Sequence, residues 1–176
     1  MKHQNLVKYR PPIEKWYNVK LEAYTVIYQQ AKERFEDILS ESESITNKSI
    51  KMIAALAAFL GFIIGFAKQN GLVAGYHVVF FILALADAMM LFILIAPKEV
   101  KHRGLPPDRS IPKNLDAEDD KDFQAELVYY QSIVLLQDNI DFMINKNNYR
   151  AALYKWALLL FLMLVAGVST FVVASL

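Results

Sequence analysis

Cysteine is absent from the 176 residues, which removes disulfides, thiolate metal sites and thiol nucleophiles together. The three histidines, His3, His77 and His102, are too scattered for metal-ligand spacing, so neither metal nor cofactor is expected. Net charge is nearly missing too. Nineteen Lys and Arg stand against 18 Asp and Glu, a formal +1, which leaves no electrostatic footprint for direct nucleic-acid binding. Nucleotide-binding glycine loops, HExxH and GxSxG are all absent. So is Arg-x4-His: the residues that follow Arg10, Arg34, Arg103, Arg109 and Arg150 at that spacing are Lys15, Leu39, Asp108, Asn114 and Lys155. An enzyme is not expected. The opening MKHQNLVKYRPP has no apolar run, so we expect no cleaved signal peptide and a first span that targets the chain itself.

What is present is apolar sequence in long blocks. Leu72 to Ala96 holds 25 residues with one formal charge, Asp87, and closes on Pro97-Lys98. About 20 apolar residues suffice to cross a bilayer core as a helix. A carboxylate near the middle costs roughly +2.5 to +3.5 kcal/mol on insertion scales, and each Val, Leu, Ile or Phe returns about 0.3 to 0.6 kcal/mol. Twelve such residues lie between Val78 and Ile95, so the run still favours insertion. A first span is expected at 50–68, weaker because it is rich in alanine and glycine. Its small-residue stripe Ala57, Gly61 and Gly65 ends in GxxxG and suits close helix packing, either within the chain or between subunits. A third span is expected at 153–176, with Tyr154 and Trp156 as interface anchors.

Two further segments have helical periodicity outside these blocks. Over 13–48, the positions Tyr17, Leu21, Tyr24, Tyr28, Ala31, Phe35, Ile38, Ser42 and Ile45 recur at alternating spacings of four and three, the signature of an amphipathic helix. Over 116–150, Tyr129, Ile133, Leu136, Ile140 and Met143 repeat it, after an acidic start of Asp116, Glu118, Asp119 and Asp120 that suits a helix N-terminus. The intervening 97–115 is rich in proline and reads as a cytoplasmic loop. If unbroken, the second helix and third span would reach roughly 90 Å at about 1.5 Å per residue, so a kink is expected near Asn145–Asn148.

Lys and Arg number nine up to Lys51, one between the first two spans (Lys68), and nine from Lys98 to Lys155. The positive-inside rule then places the N-terminus and 97–152 in the cytoplasm, with Leu176 periplasmic. The expected fold is all-α: one membrane domain, three transmembrane helices, and two long cytoplasmic amphipathic helices forming a parallel stalk.

Asp87 has two readings. It is a protonated carboxyl bonded to a neighbouring span, Ser169 or Thr170 being the nearest hydroxyls by type, or it faces water or a cation and takes part in conduction. Ala84 and Ala88 flank it and permit close helix approach. His77 reads as a polar tip at the interface. Lys51, at the mouth of the first span, joins Asp87 as a pore or gating candidate.

In layout, and in the run EKWYNVKLEAYTVIYQQAKERFEDILSESESITNKSIKMIAALAAFLGFIIGF, the chain resembles small prokaryotic membrane effectors of antiphage immunity. It is most similar to the accessory membrane proteins encoded beside type VI-B CRISPR RNA-guided ribonucleases. That resemblance implies a homo-oligomeric ring in the inner membrane that opens a pore and depolarises the cell, alongside a CRISPR ribonuclease complex. The family's divergent HEPN-type ribonuclease motif has no counterpart here, so no nuclease residues carry over. Asn145, Asn147, Asn148 and Arg150, from the NKNNYR segment, are then expected at the pore mouth. A non-conducting membrane scaffold and an ion-coupled transporter subunit using Asp87 are the competing expectations.

Overall fold

The computed structural model describes residues 19–70, 74–96, 115 and 120–175. Three helices account for almost all of them: α1 (Leu21–Asn70), α2 (Ala74–Ile95) and α3 (Lys121–Ser175), with no strand among the described residues. Each contains a stretch long and apolar enough to cross a membrane. The N-terminal arm, Tyr17, the side chain of His77, most of the 97–115 loop and Asp116 to Asp119 lie outside the described residues.

α1 joins the periodic 21–48 segment to the first span without interruption, and α3 does the same for the second pair. The helix runs unbroken through Asn145–Asn148. Asparagine is a mediocre helix former, but it breaks nothing when its neighbours on both sides hold their backbone bonds. Asp120 caps the described start of α3. The Asp120 carboxylate accepts from the backbone N–H of Asp122 at 2.9 Å and of Phe123 at 3.4 Å, so the helix starts at Lys121.

Internal contacts separate the chain into two compact units, Met1–Ser40 with Glu99–Lys146, and Glu41–Lys98 with Asn147–Leu176. In the first, Phe35, Ile38 and Leu39 of α1 bury against Leu136, Ile140 and Met143 of α3, with Tyr28 and Ala31 packed beside them. Tyr28 meets Tyr129 edge-on at 5.7 Å, so α1 and α3 run in the same direction in this unit. Tyr24 is 1% exposed. Burial, with Glu126 and then Tyr130 nearby, raises its pKa above the ordinary phenol value and keeps it neutral.

The second unit is a three-helix bundle. Ile45, Met52 and Leu56 of α1, Ala84, Leu91 and Leu94 of α2, and Ala157 and Leu164 of α3 form its core. Phe59 and Phe161 meet edge-on at 6.1 Å. α1 and α3 are therefore parallel here, while α2 returns antiparallel, its Leu94 near Arg150 and its Phe80 beside Gly167.

At Gly167, α3 lies close against the Phe80 ring of α2. A Cβ built there would stand 3.0 Å from Phe80 Cε1 and 3.6 Å from Cζ. Gly167→Ala should be close to neutral, because the gain of about 1 kcal/mol in helix propensity offsets a small displacement of the ring. Gly167→Leu should lower stability by about 1–3 kcal/mol through overpacking, read as thermal unfolding of the detergent-solubilised protein.

Candidate functional site

Buried polar groups identify the places where this bundle departs from an apolar core. Among the described residues the buried polar or charged side chains of the second unit are Ser49, Asp87, Asn147 and Arg150. Ser49 is the ordinary case, its hydroxyl donating to the Ile45 carbonyl one turn back at 2.9 Å.

Arg150 is the centre of a network that joins all three helices. It is 5% exposed. Its Nη1 donates to the Ser42 carbonyl at 3.2 Å and to the Ser42 hydroxyl in a short contact. Nη2 donates to the Thr46 hydroxyl at 2.6 Å and to the Leu94 carbonyl at 3.0 Å. The Thr46 hydroxyl donates its own hydrogen bond to the Ser42 carbonyl at 3.2 Å. Leu94 lies in the final turn of α2, where carbonyls lack intrahelical partners and carry the negative end of the helix dipole. The neighbouring Phe92 carbonyl is already taken by the Ala96 N–H at 2.9 Å. A planar guanidinium suits this task because its fork spans several acceptors at once and it stays charged when buried.

Asp87 is different. It is fully buried on the face of α2 that also presents Ala84, Leu91 and Leu94. Neither carboxyl oxygen has a hydrogen-bond partner among the described residues. The expected bond to Ser169 or Thr170 is not made. Both hydroxyls turn back onto their own helix, Ser169 to the Val165 carbonyl at 2.7 Å, Thr170 to those of Ala166 and Gly167, and both side chains are exposed. Serine and threonine satisfy themselves locally in a helix, so their presence on a neighbouring span did not create a partner.

The remaining candidates divide by exposure. Lys51, Asn145 and Asn148 are exposed, whereas Asn147 and Arg150 are interior. Ala84 is buried and Ala88 half-buried against the core. Ala57, Gly61 and Gly65 are exposed, and a Cβ at either glycine would meet nothing within 4 Å. Among the described residues, the two glycines of the stripe pack against no other helix. In the first unit an open groove of about 530 Å³ is lined by Tyr28, Leu115, Lys121, Gln124, Val128 and Tyr129, a mixed surface without a reactive constellation. No group of three metal-ligating side chains occurs among the described residues.

No family model, curated protein or solved structure matches the chain.

Proposed function

We propose that this chain is a bacterial inner-membrane protein that assembles with itself into a pore. In this reading the pore is gated from the cytoplasmic side and depolarises the cell as an accessory effector of CRISPR-type antiviral defence. Three apolar helices support membrane insertion, and the Lys and Arg count supports a cytoplasmic N-terminus and periplasmic C-terminus. The protomer's own interior is closed, with Leu91 and Ala157 at 0% exposure and Leu164 at 1%. A conducting path therefore has to form between protomers. The observation that carries the reading is the open glycine face of α1, on a helix whose neighbours Ala54, Ala55, Ala57 and Ala58 are also small and exposed.

Lys51 of α1 and the exposed Asn145 and Asn148 of α3 are the residues this reading makes available to line or gate the path. Asp87, Asn147 and Arg150 act inside the protomer. Partners are further copies of the chain, membrane lipid, and a CRISPR ribonuclease complex directly or through shared outcome. The placement in defence rests on the resemblance of layout and of the Glu14–Phe66 run. The work proposed is assembly and conduction, without catalysis.

Purified protein in liposomes tests this. Ion flux from a complex whose mass is several times the 20.1 kDa protomer is the expected result. An assembled but silent complex favours the scaffold. Saturable, substrate-dependent flux without bulk leak favours the transporter subunit.

A further inference from the structure

A fully buried carboxyl with two unpartnered oxygens requires an explanation that the pore reading does not supply. Register within the second unit fixes what surrounds it. Asp87 stands midway between Phe80, which meets Gly167, and Leu94, which meets Arg150. The level of Asp87 on α3 is therefore near Ala157, the middle of the stretch from Arg150 to Gly167.

At that level α1 contributes Met52, Ile53 and Leu56, and α3 contributes Tyr154, Ala157 and Phe161, all packed into one core. Tyr154 is the one ionisable group among them, a phenol. Lys51 and Lys155 are exposed. On α2 no other charged residue lies between Val78 and Ile95. The buried cation of this unit, Arg150, sits about 10 Å further along α2, since seven residues at about 1.5 Å separate Asp87 from Leu94. Both of its Nη atoms are engaged by Ser42, Thr46 and Leu94. Among the described residues an anion at Asp87 would have no hydrogen-bond donor and no adjacent counter-charge, and such a buried charge is strongly unfavourable.

We propose that Asp87 is a proton-binding site, occupied in this packing, and that release of its proton loosens the three helices at the level of Ala157. The ligand is the proton itself, because among the described residues no group of three metal-ligating side chains gathers here to hold a metal cation. Ionised Asp87 gains solvation only if water enters between α1, α2 and α3. The packed state and the proton therefore bind to one another, and each stabilises the other.

The chain has no cysteine, so one introduced thiol reports locally. The full-length Ala157→Cys protein in lipid nanodiscs is followed from mildly acidic to alkaline pH by infrared spectroscopy and by the rate of a water-soluble thiol reagent. Asp87→Asn and Asp87→Leu are made in the same background, and a Cys in place of exposed Ala152 corrects for thiol ionisation. The expected infrared result is a protonated-carboxyl band at mildly acidic pH that both variants lack. As that band disappears with rising pH, labelling at position 157 should rise about tenfold beyond the correction, and stay flat in Asp87→Leu. Absence of the band from the parent protein overturns the proposal. So does a band that disappears without faster labelling, or a labelling rise that persists in Asp87→Leu. None of these readings depends on ion flux, so they stand or fall separately from the pore.

Discussion

Arg150→Leu is expected to destabilise the second unit by about 2–4 kcal/mol. Charge-assisted hydrogen bonds are individually worth about 1.5–3 kcal/mol, but the four contacts of this guanidinium are not additive. Three of them end on Ser42 and Thr46 of α1, which keep an alternative. Thr46 already donates to the Ser42 carbonyl, and the Ser42 hydroxyl can turn onto its own helix. The fourth ends on the Leu94 carbonyl, in the last turn of α2, where an interior acceptor would be left with no donor. That orphan accounts for most of the loss. Arg150→Lys should recover less than half, since an ammonium on a flexible stem is a point charge and cannot span α1 and α2 as a fork does. Denaturant or thermal unfolding in detergent measures both. A leucine variant as stable as the parent would mean that desolvation of the guanidinium equals what its contacts return, and the clamp would then be an accident of packing.

This clamp was hidden in a segment that composition made easy to misread. Asn145 to Arg150 is a polar stretch between two apolar ones, which by composition reads as a kink or a pore-mouth collar. The four-three rhythm says otherwise when it is continued. Counting on from Tyr129, Ile133, Leu136, Ile140 and Met143, the same spacing falls on Asn147, Arg150, Tyr154, Ala157, Phe161, Leu164 and Val168, none of them exposed. On α1 every position of that spacing from Leu21 to Ile45 is buried or half-buried. That stripe too continues, through Ser49, Met52 and Leu56. Periodicity therefore held information about continuity that residue type concealed. Partnership was less legible. Asp87 could be placed on an inner face by its spacing with Ala84, Leu91 and Leu94. Nothing in one dimension shows that Ser169 and Thr170 bond to their own helix.

The same limit applied to the glycine stripe, and there the structure sharpens the second large prediction. On α1 the buried face carries Ser49, Met52 and Leu56, while Ala57, Gly61 and Gly65 point away from it. Because a Cβ at Gly61 or Gly65 would meet nothing within 4 Å among the described residues, replacing either should not strain the protomer. Gly61→Leu and Gly65→Leu should each raise helix propensity by up to about 1 kcal/mol and leave protomer folding intact. Their effect on assembly should be the opposite. Helices that meet at GxxxG approach until backbones touch, and an isobutyl group holds them apart, removing dispersion contacts that lipid does not restore. Losing about 1.4 kcal/mol at each contact lowers association tenfold, and a closed ring loses it at every contact. The double variant is therefore expected to run as a smaller species in mild detergent and to lose most of its liposome flux, with helicity and thermal stability kept. Should mass and flux both survive, α1 faces lipid at this position. The inter-protomer path would then have to be built from the outer faces of α2 and α3, whose Phe81, Ile82, Phe92, Leu162 and Met163 are bulky and exposed.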